Sequence, residues 1–213
     1  MPPIETLMSK IIDLQEDKSI KQLVETRLAE FQAFKNANSH EIFKEMCFCI
    51  LTAGTSADLC LRVCDEVGDQ FLKVNCQEEF TRLLKKSKYR FYNVRGGHLE
   101  KACIYRNNIK DIIDSYEDER ELRDWIVKNI RGLGYKEASH FMRNIGYENV
   151  AIIDFHIVDM LVDHGIIEKF KTMTKKRYLA TEKVLETIAT KVDLNLAALD
   201  LYMWHHETGK ILK

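Results

Sequence analysis

A chain of 213 residues, 46% of them hydrophobic, can bury one interior or two small lobes that share a core. Charged residues at 31% make an ordinary surface, and a formal net charge of −1 does not by itself announce a nucleic-acid binder. No apolar run approaches the roughly 18–20 residues that span a bilayer, and MPPIETLMSK lacks the apolar stretch of a secretory signal, so an intracellular protein is expected.

Both prolines stand at positions 2 and 3, and the 210 residues that follow have none. The glycines are mostly single and widely spaced, as at helix C-caps and tight inter-helix turns. Valine-, isoleucine- or threonine-rich alternation is scarce. The fold class is therefore all-α.

Residues 4–18 and 20–35 read as amphipathic helices, the second with Ile20, Leu23, Val24, Leu28 and Phe31 at helical spacing. KNANSH (35–40) is a loop with Ser39 as the expected N-cap. A strongly apolar helix, Glu41–Ala53, follows and is broad enough to be central to the core. Gly54-Thr55-Ser56 breaks it, Ala57–Val67 resumes as a helix, and Gln77–Lys86 is another. SKYRFYNVRGG (87–97) reads as a basic, aromatic connection; Tyr89, Arg90, Phe91, Tyr92, Asn93 and Arg95 there lean toward contact with DNA. Helices over His98–Lys110 and Asp118–Ile130 lead to RGLGY and a further helix. After the loop GYENVAII, Asp154 opens a helix that Gly165 closes, and helices near 175–191 and 195–207 end the chain with ETGKILK.

The six cysteines all lie in the first half. In an intracellular chain they read as free core thiols, although Cys60 and Cys64 have a spacing that two metal ligands could use. From Lys169 to Lys191 seven basic residues face two acidic ones, a local basic face that can meet phosphates or simply be solvated.

The stretch Arg131–His156 carries the chemistry. A Gly-x-Gly turn between helices, Gly132 and Gly134, keeps side chains away so that backbone amides and the next helix N-terminus can approach a phosphate. Arg131 adds a cation beside it. Lys136 falls in the first turn of that helix, where the dipole disfavours a cation, and attack on a sugar C1′ requires a neutral amine. Asp154 is a good N-cap residue, and the apolar approach Val150–Ile153 suits a partly buried carboxylate. A solvated surface lysine and a plain helix cap are the ordinary readings of the same two residues.

GLGYK followed by IIDFH, with Lys136 and Asp154 eighteen residues apart, resembles the helix-hairpin-helix-GPD superfamily of DNA glycosylases. Within it the chain resembles the compact type-2 8-oxoguanine DNA glycosylase/AP lyases. FCILTAGTSA (48–57), YKEASHFMRNIG (135–146), AIIDFHIVDML (151–161), KKRYL (175–179) and DLYMWHHETGKILK (200–213) support this over nearly the full length. The resemblance implies that Lys136 is the nucleophile forming a Schiff base with C1′ and that Asp154 helps activate it and stabilises charge on the sugar. It implies that Lys213 and Trp204 read the base, and that Gly132, Gly134, Arg131 and His156 contact DNA. His205 and His206 depart from simple apolar packing beside Trp204. The absence of cysteine beyond Cys103 excludes the iron–sulfur cluster of endonuclease III-like relatives, and no metal or other cofactor is implied.

The expected fold is thus two helical lobes with an intervening active-site cleft. One lobe is residues 41–147, with the helix-hairpin-helix at about 118–146; the other is 1–40 plus 148–213. The expected activity is excision of 8-oxoguanine, followed by β-elimination 3′ to the lesion. Expected partners are double-stranded DNA carrying 8-oxoguanine or abasic sites and no membrane, with the protein acting as a monomer in a prokaryotic cytoplasm or nucleoid. A glycosylase for another oxidised base, or a hairpin module that binds DNA without chemistry, are the alternatives.

Overall fold

A chain without internal proline leaves every backbone N–H free for a helical ladder. In the computed structural model, which describes residues 3–211, all regular elements are helical. The chain opens with α1 (Pro3–Glu16) and α2 (Lys18–Ala33). It continues through α3 (Ser39–Thr52), α4 (Ala57–Val67), the single-turn α5 (Gln70–Lys73), α6 (Gln77–Lys86) and α7 (Tyr92–Ala102). Next come α8 (Ile109–Asp114), α9 (Glu119–Asn129) and α10 (Tyr135–Asn144), then α11 (Phe155–Asp163), α12 (Lys175–Lys191) and α13 (Leu196–Thr208). Residues 34–145 form one compact unit, and the described residues before 34 and after 145 form another. Among the described residues no helix is long and apolar enough to cross a membrane.

In the 34–145 unit, α3 is the buried axis, with α4, α5, α7, α8 and α10 packed around it. Ile42, Phe43, Met46, Cys47, Ile50 and Leu51 on α3 are all buried, as its sequence without a polar stripe requires. Its N-cap is Asn38, not Ser39. The Asn38 side chain accepts from the backbone N–H groups of His40 and Glu41, and the Glu41 carboxylate takes the Asn38 N–H at 3.0 Å. Asn38 wins because it puts Glu41 three residues on, where a capping box closes.

Residues 87–97 also differ from the sequence reading. Tyr92 already begins α7, and the pair Gly96-Gly97 lies inside that helix. A Cβ at Gly96 would meet Thr81 Oγ1 at 2.5 Å and the Gln77 carbonyl at 3.1 Å, so glycine lets the backbones of α6 and α7 close on each other. The helix expected over His98–Lys110 therefore starts six residues early and ends at Ala102; a 3-10 turn at Cys103–Tyr105 separates it from α8. Tyr89 is buried and Arg95 half-buried, and both are engaged within the protein. The Tyr89 hydroxyl donates to the Leu51 carbonyl at 2.6 Å and Arg95 Nη2 to the Ala53 carbonyl at 2.7 Å. Both satisfy carbonyls that the end of α3 leaves without a helical partner.

In the other unit, α1 packs against α2, α12 and α13, and α2 against α13. Leu7, Ile11, Phe31, Leu185, Leu199 and Leu201 fill its interior. The six cysteines are free thiols: Cys47, Cys49 and Cys60 are buried, and Cys64, Cys76 and Cys103 half-buried.

Gly96→Ala separates helix propensity from packing. Alanine in a helix interior is ordinarily better than glycine by about 1 kcal/mol, but here the methyl group meets the backbone of α6. The expected result is a loss of about 1–3 kcal/mol in denaturant unfolding; a stabilised variant would show that α6 and α7 are not in that close approach.

Candidate active site

The hairpin is built from α9 and α10. Asp118 caps α9, accepting from Arg120 N at 2.7 Å and Glu121 N at 2.9 Å. At the far end Leu133 N–H closes a turn onto the Ile130 carbonyl at 3.2 Å. Gly132, third in that turn, has φ +98, a value that favours glycine. Leu133 points into the core, while Arg131 and Gly134 are exposed. Gly134 is the N-cap residue of α10 with extended φ −82, and no side chain caps that helix. The N-terminus of α10 thus stands beside an exposed arginine without a cap from its N-cap residue, and a helix N-terminus of that kind favours an anion.

Several side-chain contacts hold α10 against α9. The guanidinium of Arg123, 1% exposed, lies 5.3 Å from the Tyr135 ring centroid and donates to Ser139 Oγ at 3.2 Å. The Tyr135 hydroxyl donates to the Asp124 carboxylate. Under the turn lies His98: a Cβ on Gly132 would stand 2.5 Å from His98 Nδ1. That nitrogen accepts from Arg95 Nη1 at 3.1 Å. Burial lowers the His98 pKa, and the charges of Arg95, Arg131 and Lys101 lower it further, so the ring is neutral at neutral pH. At the other end of α10, Asn144 donates to the buried Glu45 carboxylate of α3 at 2.7 Å.

Lys136 occupies the first turn of α10 and is half-buried, its Nζ 3.9 Å from Glu137 Oε1. Cys60 of α4 lies within its electrostatic reach. Burial pushes that thiol up to about 12 against the opposing pull of the Lys136 and Arg95 charges. Cys60 stays protonated and supplies no thiolate to pair with the amine.

In the second unit, residues 150–153 run without helix toward α11, all four buried. Backbone polar groups in such a stretch need side-chain partners, and α12 provides them. Glu182 accepts from Ala151 N at 2.9 Å; the Tyr178 hydroxyl donates to the Ala151 carbonyl at 2.6 Å and accepts from Ile153 N at 3.2 Å. Asp154 follows as the N-cap of α11, half-buried, with Oδ1 accepting from Ile157 N at 3.0 Å. His156 is exposed, edge-on to Trp204 of α13 with ring centroids 6.0 Å apart. Trp204 is half-buried, and its Nε1 is buried without a hydrogen-bond partner among the described residues. Lys213 lies outside the described residues. Lys175, Lys176 and Arg177 form an exposed, acid-free first turn of α12.

Tyr178, Glu182, Arg123, Arg95 and His98 support these sites, and sequence reasoning had not singled them out for that. A buried Glu and Tyr four residues apart on α12 were the available signal for the first pair. The others depend on tertiary contacts alone.

Two helices joined across a Gly-x-Gly turn, with the second helix uncapped and carrying a lysine in its first turn, define a helix-hairpin-helix protein. A family model described as 8-oxoguanine DNA glycosylase matches residues 24–194. The chain is 45% identical to the 8-oxoguanine DNA glycosylase/AP lyase of Methanocaldococcus jannaschii over 97% of this chain and 99% of that one. It is 42% identical to the protein of the same name from Korarchaeum cryptofilum, over 99% of each. A crystal structure of the M. jannaschii glycosylase/lyase in complex with 15mer DNA containing 8-oxoguanine superposes with a TM-score of 0.93 at 44% identity, covering 98% of this chain and 100% of that one. The chain belongs to the 8-oxoguanine DNA glycosylase family.

Tyr178→Phe removes the one hydroxyl that serves both Ala151 and Ile153. Two buried backbone groups lose a partner, so unfolding should become easier by about 1–3 kcal/mol in urea titration. Wild-type stability would mean that the approach to Asp154 is held by something else.

Proposed function

We propose that this protein excises 8-oxoguanine from double-stranded DNA and then cuts the strand 3′ to the resulting site, acting on the DNA of a prokaryotic cytoplasm. The observation that carries the reading is Lys136, seated in the first turn directly behind the uncapped hairpin. It stands in a chain that matches glycosylase/AP lyases from end to end. Gly132, Gly134 and Arg131 hold a backbone phosphate, the lesion is extruded, and its edges are read outside the stack. Trp204 offers a flat, half-buried partner for the base, and its indole N–H has no acceptor among the described residues. Lys213 supplies the terminal contact that separates 8-oxoguanine from guanine, and His156 lies along the DNA beside Trp204.

The Lys136 amine adds to C1′ as the glycosidic bond breaks, and the base leaves with that electron pair and gains a proton. Loss of a proton from the resulting nitrogen gives a C1′ glycosylamine. Its nitrogen lone pair then opens the sugar ring by breaking the C1′–O4′ bond, O4′ takes a proton, and the protonated Schiff base remains, from which abstraction of a C2′ proton expels the 3′ phosphate. Asp154 stabilises positive charge on the sugar and assists deprotonation of the lysine. The cap and the chemistry are compatible: Ile157 N–H occupies one carboxylate oxygen and leaves the second available.

Lys136→Gln should abolish both strand cleavage and borohydride trapping on duplexes carrying 8-oxoguanine; a trapped complex in that variant would exclude Lys136 as the nucleophile. Asp154→Asn tests the carboxylate without disturbing the helix, because asparagine caps about as well as aspartate. Its melting temperature should stay near wild type while the single-turnover rate falls by at least about 100-fold. An unchanged rate would reduce Asp154 to a cap.

Deleting Lys213 should narrow the difference in excision between 8-oxoguanine and guanine while sparing cleavage at a preformed abasic site. Retained discrimination would remove the tail from base reading.

A further inference from the structure

The hairpin's turn residue is a glycine, the residue type with the least constrained backbone, yet it sits where a phosphate grip needs fixed amides. Glycine at 132 with φ +98 is free to move unless something abuts it. One side chain does. The His98 ring, on α7, lies so close that a Cβ on Gly132 would stand 2.5 Å from Nδ1 and 3.1 Å from Cγ. The ring is itself fixed, since Nδ1 accepts from Arg95 Nη1 at 3.1 Å and Arg95 Nη2 is tied to the Ala53 carbonyl at 2.7 Å. An arginine can only donate, so Nδ1 carries no proton and the remaining ring hydrogen is on Nε2.

We infer that His98 is a positioning residue for DNA binding, a neutral prop that transmits the rigidity of α3 through Arg95 to the hairpin amides. The inference rests on the reading of the hairpin as the phosphate grip. Without the prop, Gly132 regains conformational freedom, and the amides must be ordered at the moment of binding, which lowers affinity without touching the reacting atoms. Gly132 is doubly constrained: its φ and the histidine beneath it each exclude a side chain. Histidine suits the position because its flat ring fits under a glycine Cα while its acceptor nitrogen locks onto a guanidinium.

The test is affinity for a duplex carrying an uncleavable tetrahydrofuran abasic-site analogue, measured by fluorescence anisotropy at fixed salt. Single-turnover excision of 8-oxoguanine at saturating enzyme is measured alongside. His98→Ala should raise Kd about tenfold, the equivalent of one hydrogen bond to a charged group, with the saturated single-turnover rate unchanged. His98→Asn, whose Oδ1 takes the place of Nδ1 as acceptor, should recover most of that affinity. Should His98→Ala not fold, Arg95→Lys carries the test, since an ammonium lacks the fork that joins Ala53 and His98 at once; it should weaken binding in the same way. Wild-type affinity in these variants, or His98→Asn binding no better than His98→Ala, overturns the inference. Gly134→Asp reports on the grip itself, because it preserves a helix cap while setting a carboxylate where the phosphate would lie. If that variant binds normally, the hairpin is not the grip and the role of His98 falls with it. If it binds weakly while His98→Ala does not, only the prop is refuted.

Discussion

The carbonyls at the end of α3 have to find donors, and much of the 34–145 unit is arranged around that need. A helix whose last eight residues are all buried cannot send its last carbonyls to water, and leaving them bare would cost about 1–3 kcal/mol each. The segment at 87–97 answers with a tyrosine hydroxyl on Leu51 and an arginine on Ala53. That solution has a structural consequence. To bring Arg95 to the end of α3, α7 must start at Tyr92 and lie tight against α6, which in turn requires Gly96. The same arginine reaches one turn along α7 to His98, and through it the hairpin turn at Gly132.

The second unit solves a like problem in a like way. Residues 150–153 are buried but not helical, so their backbone groups must be met by side chains. Tyr178 and Glu182, each nearly inaccessible, meet three of them from a single face of α12. The result is a rigid lead-in to Asp154. In both units the residue proposed to act stands at a helix N-terminus, and polar side chains of another helix lie against the irregular backbone before it. Precision at such a junction comes from the supporting contacts more than from the residue that acts.

What could be read in the sequence was what short spacing encodes. The all-α class followed from proline restricted to the start and from glycines at helix ends. Gly54, Gly68, Gly132, Gly146, Gly165 and Gly209 do take positive φ at such boundaries. The α9–turn–α10 arrangement and the capping aspartate at 154 were visible because caps and turns are local. The true cap of α3 was also within reach, since Asn38 with Glu41 is a capping-box spacing and Ser39 with Ile42 is not. Gly96-Gly97 misled for the opposite reason. A glycine pair reads as a break until a neighbouring backbone is known to need the room, and that neighbour, α6, is a tertiary fact. His98 and Arg95 were hidden in the same way: nothing in RGGHLEK says that a histidine will lie under a glycine thirty-four residues on.

In the proposed mechanism Asp154 is doubly occupied, as helix cap and as anion, and such a position tolerates little substitution in kind. A helix N-cap wants an acceptor and is nearly indifferent to charge, so asparagine, serine and aspartate are interchangeable there. Charge stabilisation on a sugar wants an anion and is indifferent to the helix. Only aspartate satisfies both from a side chain short enough to be held by Ile157 N–H at 3.0 Å; glutamate would keep the charge and lose the cap, with one more rotatable bond to order. The cap thus serves as the anchor that fixes the carboxylate in direction. A residue whose local explanation is complete can still carry a second role, provided that role uses an atom the first one leaves open.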